Sequence, residues 1–257
     1  MKLHFQNYST SGEPLFILHG LFGSLNNWNW HSKQFSENFS VYGVDLRNHG
    51  ESPHDDTLNY DVMAQDVVQL FDDLEISSAS VIGHSMGGKV AMELALRWPD
   101  YIKKLIVVDI APVSYPDSGD GHLDVIEGMK ALKLSTLKSR SEAETCLEDY
   151  IADQVTRKFI LTNLVRGSGD GFRWRLNLQS IEHNYAALRD KPSDSGVFRK
   201  PVLFVKGALS NYIRNDYQLE TLKLFPNARV KSIVGAGHWL HAEKPQVFQK
   251  IAIDFLT

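Results

Sequence analysis

A chain of 257 residues, 43% hydrophobic and 23% charged, has material for a large core and the makeup of an ordinary globular protein: one domain, with or without an insertion. A formal net charge of -4 and the lack of any long Lys/Arg run exclude the footprint of a nucleic-acid binder and favour a small neutral or anionic partner. No apolar stretch nears the ~20 residues of a membrane-spanning helix, and the lone Cys146 has no internal disulfide partner, so no membrane association and a reducing, cytoplasmic setting are expected.

The opening MKLHFQNYSTSGEP lacks the apolar core of a signal peptide, and the mature chain is expected to begin near Met1. Short β-branched runs then alternate with longer amphipathic ones, the pattern of an α/β fold with a mainly parallel sheet. KLHFQNY and PLFILHG are the first two strands, and the second runs into the loop HGLFGS. SVYGVDL follows, and then a helix from Tyr60 to Leu74 with Val62, Val67, Leu70 and Leu74 on one face and Asp66 as the exception.

The strand SASVIGH meets the helix MGGKVAMELALR at Gly83-His84-Ser85-Met86-Gly87. This is G-x-S-x-G in the setting it requires, a strand turning sharply into a helix with a strained serine exposed at the bend. Ser85 could instead merely cap the helix, but the context marks it as a nucleophile. The helix carries Met86, Val90, Leu94 and Trp98 at spacings of four, and the next strand is KKLIVVDI.

From 113 to 200 the alternation lapses into helical patches (LDVIEGMKALK, EAETCLEDYIADQ, TRKFILTNLV) and a glycine-rich turn, GSGDG, followed by FRWRLN. The expectation is a helical cap over residues 113–200, inserted into a catalytic core made of 1–112 and 201–257. PVLFVKG and ARVKSIVG complete the strands.

A serine hydroxyl needs a positioned base. His238, in the glycine-flanked loop of VGAGHWLHAEKP, fits the expected chain order, with His241 three residues on as its rival. His84 is expected to pack beneath the elbow, and His19 and His49 to organise their loops by hydrogen bonding. An oxyanion needs two fixed N–H donors: Met86 supplies one, and Leu21 or Phe22 in HGLFGS the other. No pair of residues has metal-site spacing, so no metal is expected.

LHGLFGS, DLRNHGES, GHSMGG, VVDIAPV and GAGHWLHAEKP, in this order, resemble the α/β-hydrolase superfamily over nearly the whole chain. RNHG, where many relatives have RGHG, and VVDIAP are most similar to the small YbfF-type bacterial esterases. The resemblance implies an eight-stranded, mostly parallel sheet flanked by helices, a helical cap, no cofactor, and hydrolysis of esters or thioesters. It assigns Ser85 as nucleophile, His238 as base and the N–H groups of Leu21 and Met86 as the oxyanion hole.

The acid departs from the common pattern, which puts an aspartate shortly after PVLFVKG; here the loop reads ALSNYIRND, with Ser210 near the expected place. Asp109 and Asp216 both satisfy the order serine, acid, histidine. Asp109 ends a strand, where groups converge on the site, and the YbfF-type resemblance points the same way, with Ser210 as an auxiliary.

Phe22, Met86, Ile110 and Trp239 flank these groups and suggest an apolar acyl pocket. In TRKFILTNLVRGSGDGFRWR, Arg157, Lys158, Arg166, Arg173 and Arg175 stand against Asp170; Arg173 and Arg175 are candidates to hold the phosphates of an acyl-CoA thioester, and a solvated face with arginines stacked on Trp174 is the plainer reading. The expected activity is hydrolysis of carboxylic esters or acyl thioesters through an acyl-enzyme on Ser85. A carbon-carbon bond hydrolase with the same triad and a ligand-binding module without turnover are the alternatives.

Overall fold

The computed structural model describes residues 1–116, 121–167, 171–193 and 196–257. The first half runs β1 (Phe5–Asn7), β2 (Glu13–Leu18), α1 (Asn29–Phe35), β3 (Phe39–Val44), α2 (Tyr60–Asp73), β4 (Ala79–His84), α3 (Met86–Arg97) and β5 (Ile102–Val108). After a long excursion, β8 (Val202–Gly207), α9 (Gln218–Leu224), β9 (Ala228–Ile233), α10 (Leu240–Glu243) and α11 (Pro245–Leu256) close the chain.

The main sheet has the order β1-β3-β2-β4-β5-β8-β9, parallel throughout except for β1. It holds seven strands among the described residues, one fewer than the resemblance implies. The residues ahead of Phe5 add none, and the Met1 ammonium is tied to Asp66 at 2.7 Å.

The unbroken apolar runs of the central strands follow from burial of both faces. Val81, Leu105, Val107 and Phe204 point into a core shared with α2 and α3, whereas Ile82, Ile106, Val108, Leu203 and Val205 point into a second core closed by α1 and α11. Alternate residues of one strand thus feed opposite layers. Helix α3 is buried nearly all round, Lys89 and Glu93 included, because the excursion lies against the side the sheet leaves open.

That excursion, between β5 and β8, contains α4 (His122–Ala131), α5 (Arg140–Leu147), α6 (Gln154–Leu161), β6 (Leu164–Arg166), β7 (Phe172–Trp174), α7 (Leu178–His183) and α8 (Tyr185–Arg189). β6 and β7 pair antiparallel as a separate two-stranded sheet around the glycine-rich turn, whose residues 168–170, Asp170 among them, lie outside the described residues. Both ends of the excursion are fastened to α3 by one side chain. Lys89 Nζ donates to the carbonyls of Val113 at 2.9 Å and Arg189 at 3.1 Å, and to that of Asp190.

Candidate active site

Ser85 stands between the last residue of β4 and the first of α3 with φ 52° and ψ -118°, a conformation L-residues rarely adopt. The bend brings backbone so close that side chains are excluded on either side. A Cβ at Gly83 would lie 2.3 Å from the Gly87 carbonyl oxygen, and one at Gly87 would lie 2.5 Å from the carbonyl oxygens of both Leu18 and His19. The glycines therefore answer to sterics, and the serine is presented at the carboxyl end of the sheet.

Asp109 sits at the end of the neighbouring strand, fully buried, also at φ 52°. His238, in the loop after β9, bridges the two. Its Nε2 lies 3.1 Å from Ser85 Oγ, and its Nδ1 lies 2.8 Å from Asp109 Oδ2. The carboxylate also accepts the Gly207 N–H at 2.9 Å on Oδ1 and the Ser210 hydroxyl on Oδ2. The end of β8 and the loop after it, where the common pattern has its acid, thus supply donors to a carboxylate that follows β5. Asp216 lies instead in an exposed turn, ion-paired with Arg214.

Four of the other histidines, His19, His49, His84 and His241, are buried, and burial lowers the pKa of each. His19 donates from Nδ1 to the Gly20 carbonyl at 2.8 Å and accepts the Leu46 N–H on Nε2 at 3.0 Å; burial lowers its pKa to about 4. His49 repeats the arrangement with the Arg47 carbonyl at 2.9 Å and the Phe22 N–H at 3.3 Å, and burial, then the neighbouring His19, lowers it to about 3. His84 donates to the His238 carbonyl at 3.0 Å, so the elbow residue holds the loop that carries the imidazole. His241 stacks flat on Trp28 at 4.3 Å, and burial keeps it well below the usual histidine range.

In the loop after β2 the Phe22 N–H is occupied by His49, while the Phe22 carbonyl accepts the Asn163 amide at 2.7 Å. Met86 opens α3, where an N–H has no acceptor within the helix. Leu21, Phe22 and Trp239 all border cavities at Ser85. One of about 230 Å³ is lined by Ser85 and His238 with Trp28, Phe159 and Trp239; another of about 40 Å³ is lined by Ser85, Met86 and Ile110.

Arg173 and Arg175 are not among the residues lining these cavities. Arg173 is exposed on β7, and Arg175 pairs with Glu51 at 3.3 Å and donates to the Thr162 carbonyl. Arg157 is buried against Glu148 and the carbonyls of Ile151 and Ala152, and Arg166 lies over Phe172 rather than Trp174, whose indole N–H goes to Met129. The basic side chains thus point in separate directions and do not gather around one ligand.

Three residues that shape the site take their roles from contacts that the sequence does not disclose. Asn48, at φ 65°, replaces glycine in RNHG and gives its amide to Ser180 at 3.0 Å, tying this loop to α7. Asn163 props the loop after β2 from α6's end. Lys89 is signalled only by a charge on the helix that follows the elbow, which Glu93 and Arg97 also carry.

Residues 15–250 match the alpha/beta hydrolase family. The esterase YbfF of Escherichia coli is 35% identical, over all of both chains. The sn-1-specific diacylglycerol lipase ABHD11 of Xenopus laevis is 39% identical, covering 96% of this chain and 81% of that protein. A marine microorganism esterase of known structure superposes with a TM-score of 0.97 at 40% identity, covering 99% of each chain. The seven-stranded sheet, the glycine-bracketed serine at its bend and the match over residues 15–250 agree: the chain belongs to the alpha/beta hydrolase family.

Proposed function

We propose that this chain is a serine carboxylesterase, with Ser85 as nucleophile, His238 as base, Asp109 as acid and the segment 113–200 as a cap over the site. The observation that carries the reading is the relay of Ser85 Oγ to His238 Nε2 at 3.1 Å and His238 Nδ1 to Asp109 Oδ2 at 2.8 Å, beside an apolar cavity. With Nδ1–H on the carboxylate, Nε2 presents its lone pair to the serine hydroxyl, the tautomer a general base requires.

Ser85 Oγ attacks the ester carbonyl while His238 takes its proton; Asp109 stabilises the resulting imidazolium. The oxyanion forms against the N–H groups of Met86 and Leu21, since that of Phe22 is held by His49. His238 then protonates the departing alcohol, leaving an acyl-enzyme, and water activated by the same imidazole releases the acid. Ester hydrolysis is also what the names of the bacterial and marine relatives carry. A coenzyme A thioester is disfavoured, because neither Arg173 nor Arg175, the candidates to hold its phosphates, borders the cavities at Ser85, and Arg175 is paired with Glu51.

Hydrolysis of p-nitrophenyl esters by the wild type and by Ser85→Ala tests the reading. The substitution is expected to lower kcat by about 10⁵-fold or more. An inert wild type, or a variant that retains turnover, would remove the basis for a serine esterase.

A further inference from the structure

An ester carbonyl places three substituents: its oxygen, its leaving oxygen and its acyl chain. On the serine-esterase reading, on which this inference rests, the oxygen faces Leu21 and Met86, and the leaving oxygen must lie against His238 Nε2, the atom that returns the proton to it. The acyl chain then has to leave Ser85 on the side away from His238.

The two cavities at Ser85 divide along that line. The larger, about 230 Å³, is bordered by both Ser85 and His238, and a recess of about 490 Å³ that reaches Asp124 and Asp153 shares His238 and Trp239 with it. The smaller, about 40 Å³, is bordered by Ser85 and Met86 and, among the described residues, not by His238.

The groups around the small cavity are committed to the protein. Tyr60 donates its hydroxyl to the Leu188 carbonyl. Tyr115 accepts the Ala111 N–H at 2.8 Å and donates to the Tyr212 carbonyl at 2.6 Å. Lys89 gives its ammonium to three carbonyls. Arg189 and His122 also border the space, Arg189 donating from Nη2 to the Tyr115 carbonyl at 2.8 Å and His122 Nδ1 meeting the Tyr185 hydroxyl at 3.0 Å; between these groups, ring surface and the aliphatic carbon of Met86, Ile110 and Leu188 offer a lining for a hydrocarbon chain.

We propose that the small cavity is the acyl subsite and the large one the alcohol subsite, so that the preferred substrates join a short apolar acid to a bulky apolar alcohol. At the 10–15 Å³ that one water-sized group requires, about 40 Å³ admits an acyl group of about two to four carbons.

Benzyl acetate and methyl phenylacetate are isomers that carry the same ring on opposite sides of the ester, and they separate the two assignments. The expected result is a kcat/KM at least about tenfold higher for benzyl acetate. An equal or higher value for methyl phenylacetate overturns the assignment while leaving the esterase reading intact. As a second measurement, Leu188→Ala, outside the relay, is expected to raise turnover of p-nitrophenyl hexanoate relative to the acetate by about tenfold; an unchanged chain-length profile also overturns it. Turnover of neither isomer, or turnover that survives Ser85→Ala, fails the esterase reading itself and the proposal with it.

Discussion

Replacing Asp109 by asparagine changes one atom of the relay. The carboxylate has three partners: the Gly207 N–H at 2.9 Å on Oδ1, and the His238 ring at 2.8 Å and the Ser210 hydroxyl on Oδ2. An amide has one oxygen to share. If that oxygen stays on Gly207, the new NH₂ faces His238 Nδ1 and turns it into an acceptor. The ring proton then moves to Nε2, opposite Ser85, and the imidazole can no longer take the serine proton. If the amide flips, two N–H donors oppose each other at Gly207, at a cost of about 1–3 kcal/mol, and the imidazolium still lacks its counter-charge.

The first arrangement is the cheaper, and a wrong tautomer is worth a loss of about 10³- to 10⁴-fold in kcat/KM, about 4 to 5.5 kcal/mol of barrier. Asparagine tolerates a φ of 52° as well as aspartate does, so the fold has no new backbone strain to absorb, and the melting temperature is expected to fall by no more than about 4 °C. Asp216→Asn, which breaks only an exposed pair with Arg214, is expected to leave kcat/KM within about twofold. Turnover of p-nitrophenyl acetate, with melting curves alongside, reads both variants. If Asp109→Asn kept more than a tenth of the activity while Asp216→Asn lost it, the acid would be misassigned.

His84→Phe keeps a ring between His238 and His241 but deletes the hydrogen bond to the His238 carbonyl, so kcat is expected to fall about tenfold with KM nearly unchanged; a wild-type kcat would show that this bond positions nothing. For acid stability, His19 and His49 have folded pKa values of about 4 and about 3, below the unfolded value, so the folded chain binds fewer protons. Their contribution is fully present above pH ~6.5 and is lost as pH falls through the folded values, about 3 kcal/mol for His19 alone. Urea midpoints measured from pH 8 down to 4 should hold steady and then drop below 6.5; a midpoint level down to pH 4.5 would refute the account.

What was legible in the sequence is what is local. The elbow is written in five consecutive letters, residues 83–87, although Gly87 answers to the carbonyls of Leu18 and His19 as well as to the bend, and the strands reveal themselves because burial on both faces demands continuous apolar runs. The acid was ambiguous for the opposite reason: whether Asp109 or Asp216 faces the imidazole depends on the strand order, which joins residues 129 positions apart. Asp66 looked like an exception on its helix because its partners, Arg47 and the Met1 ammonium, arrive from elsewhere in the chain. The arginines of 157–175 were visible as charge, but the direction each takes is set by the β6–β7 hairpin and by carbonyls that composition does not disclose.

Ser85 and Asp109 leave the sheet from the same rung: His84 pairs with Val108, and each following residue bends away at a φ of 52°. The span between Ser85 and Asp109, the proposed nucleophile and acid, is therefore a property of the strand spacing, fixed by the Ser85 N–H on the Val108 carbonyl at 3.0 Å, as steady as a gauge block. A relay whose acid rode on the loop after β8 would have two joints to keep in tolerance, and this one has a single joint, the His238 loop. Drift in activity among variants of this chain should then track the freedom of that one loop, whichever part of the molecule the substitution touches.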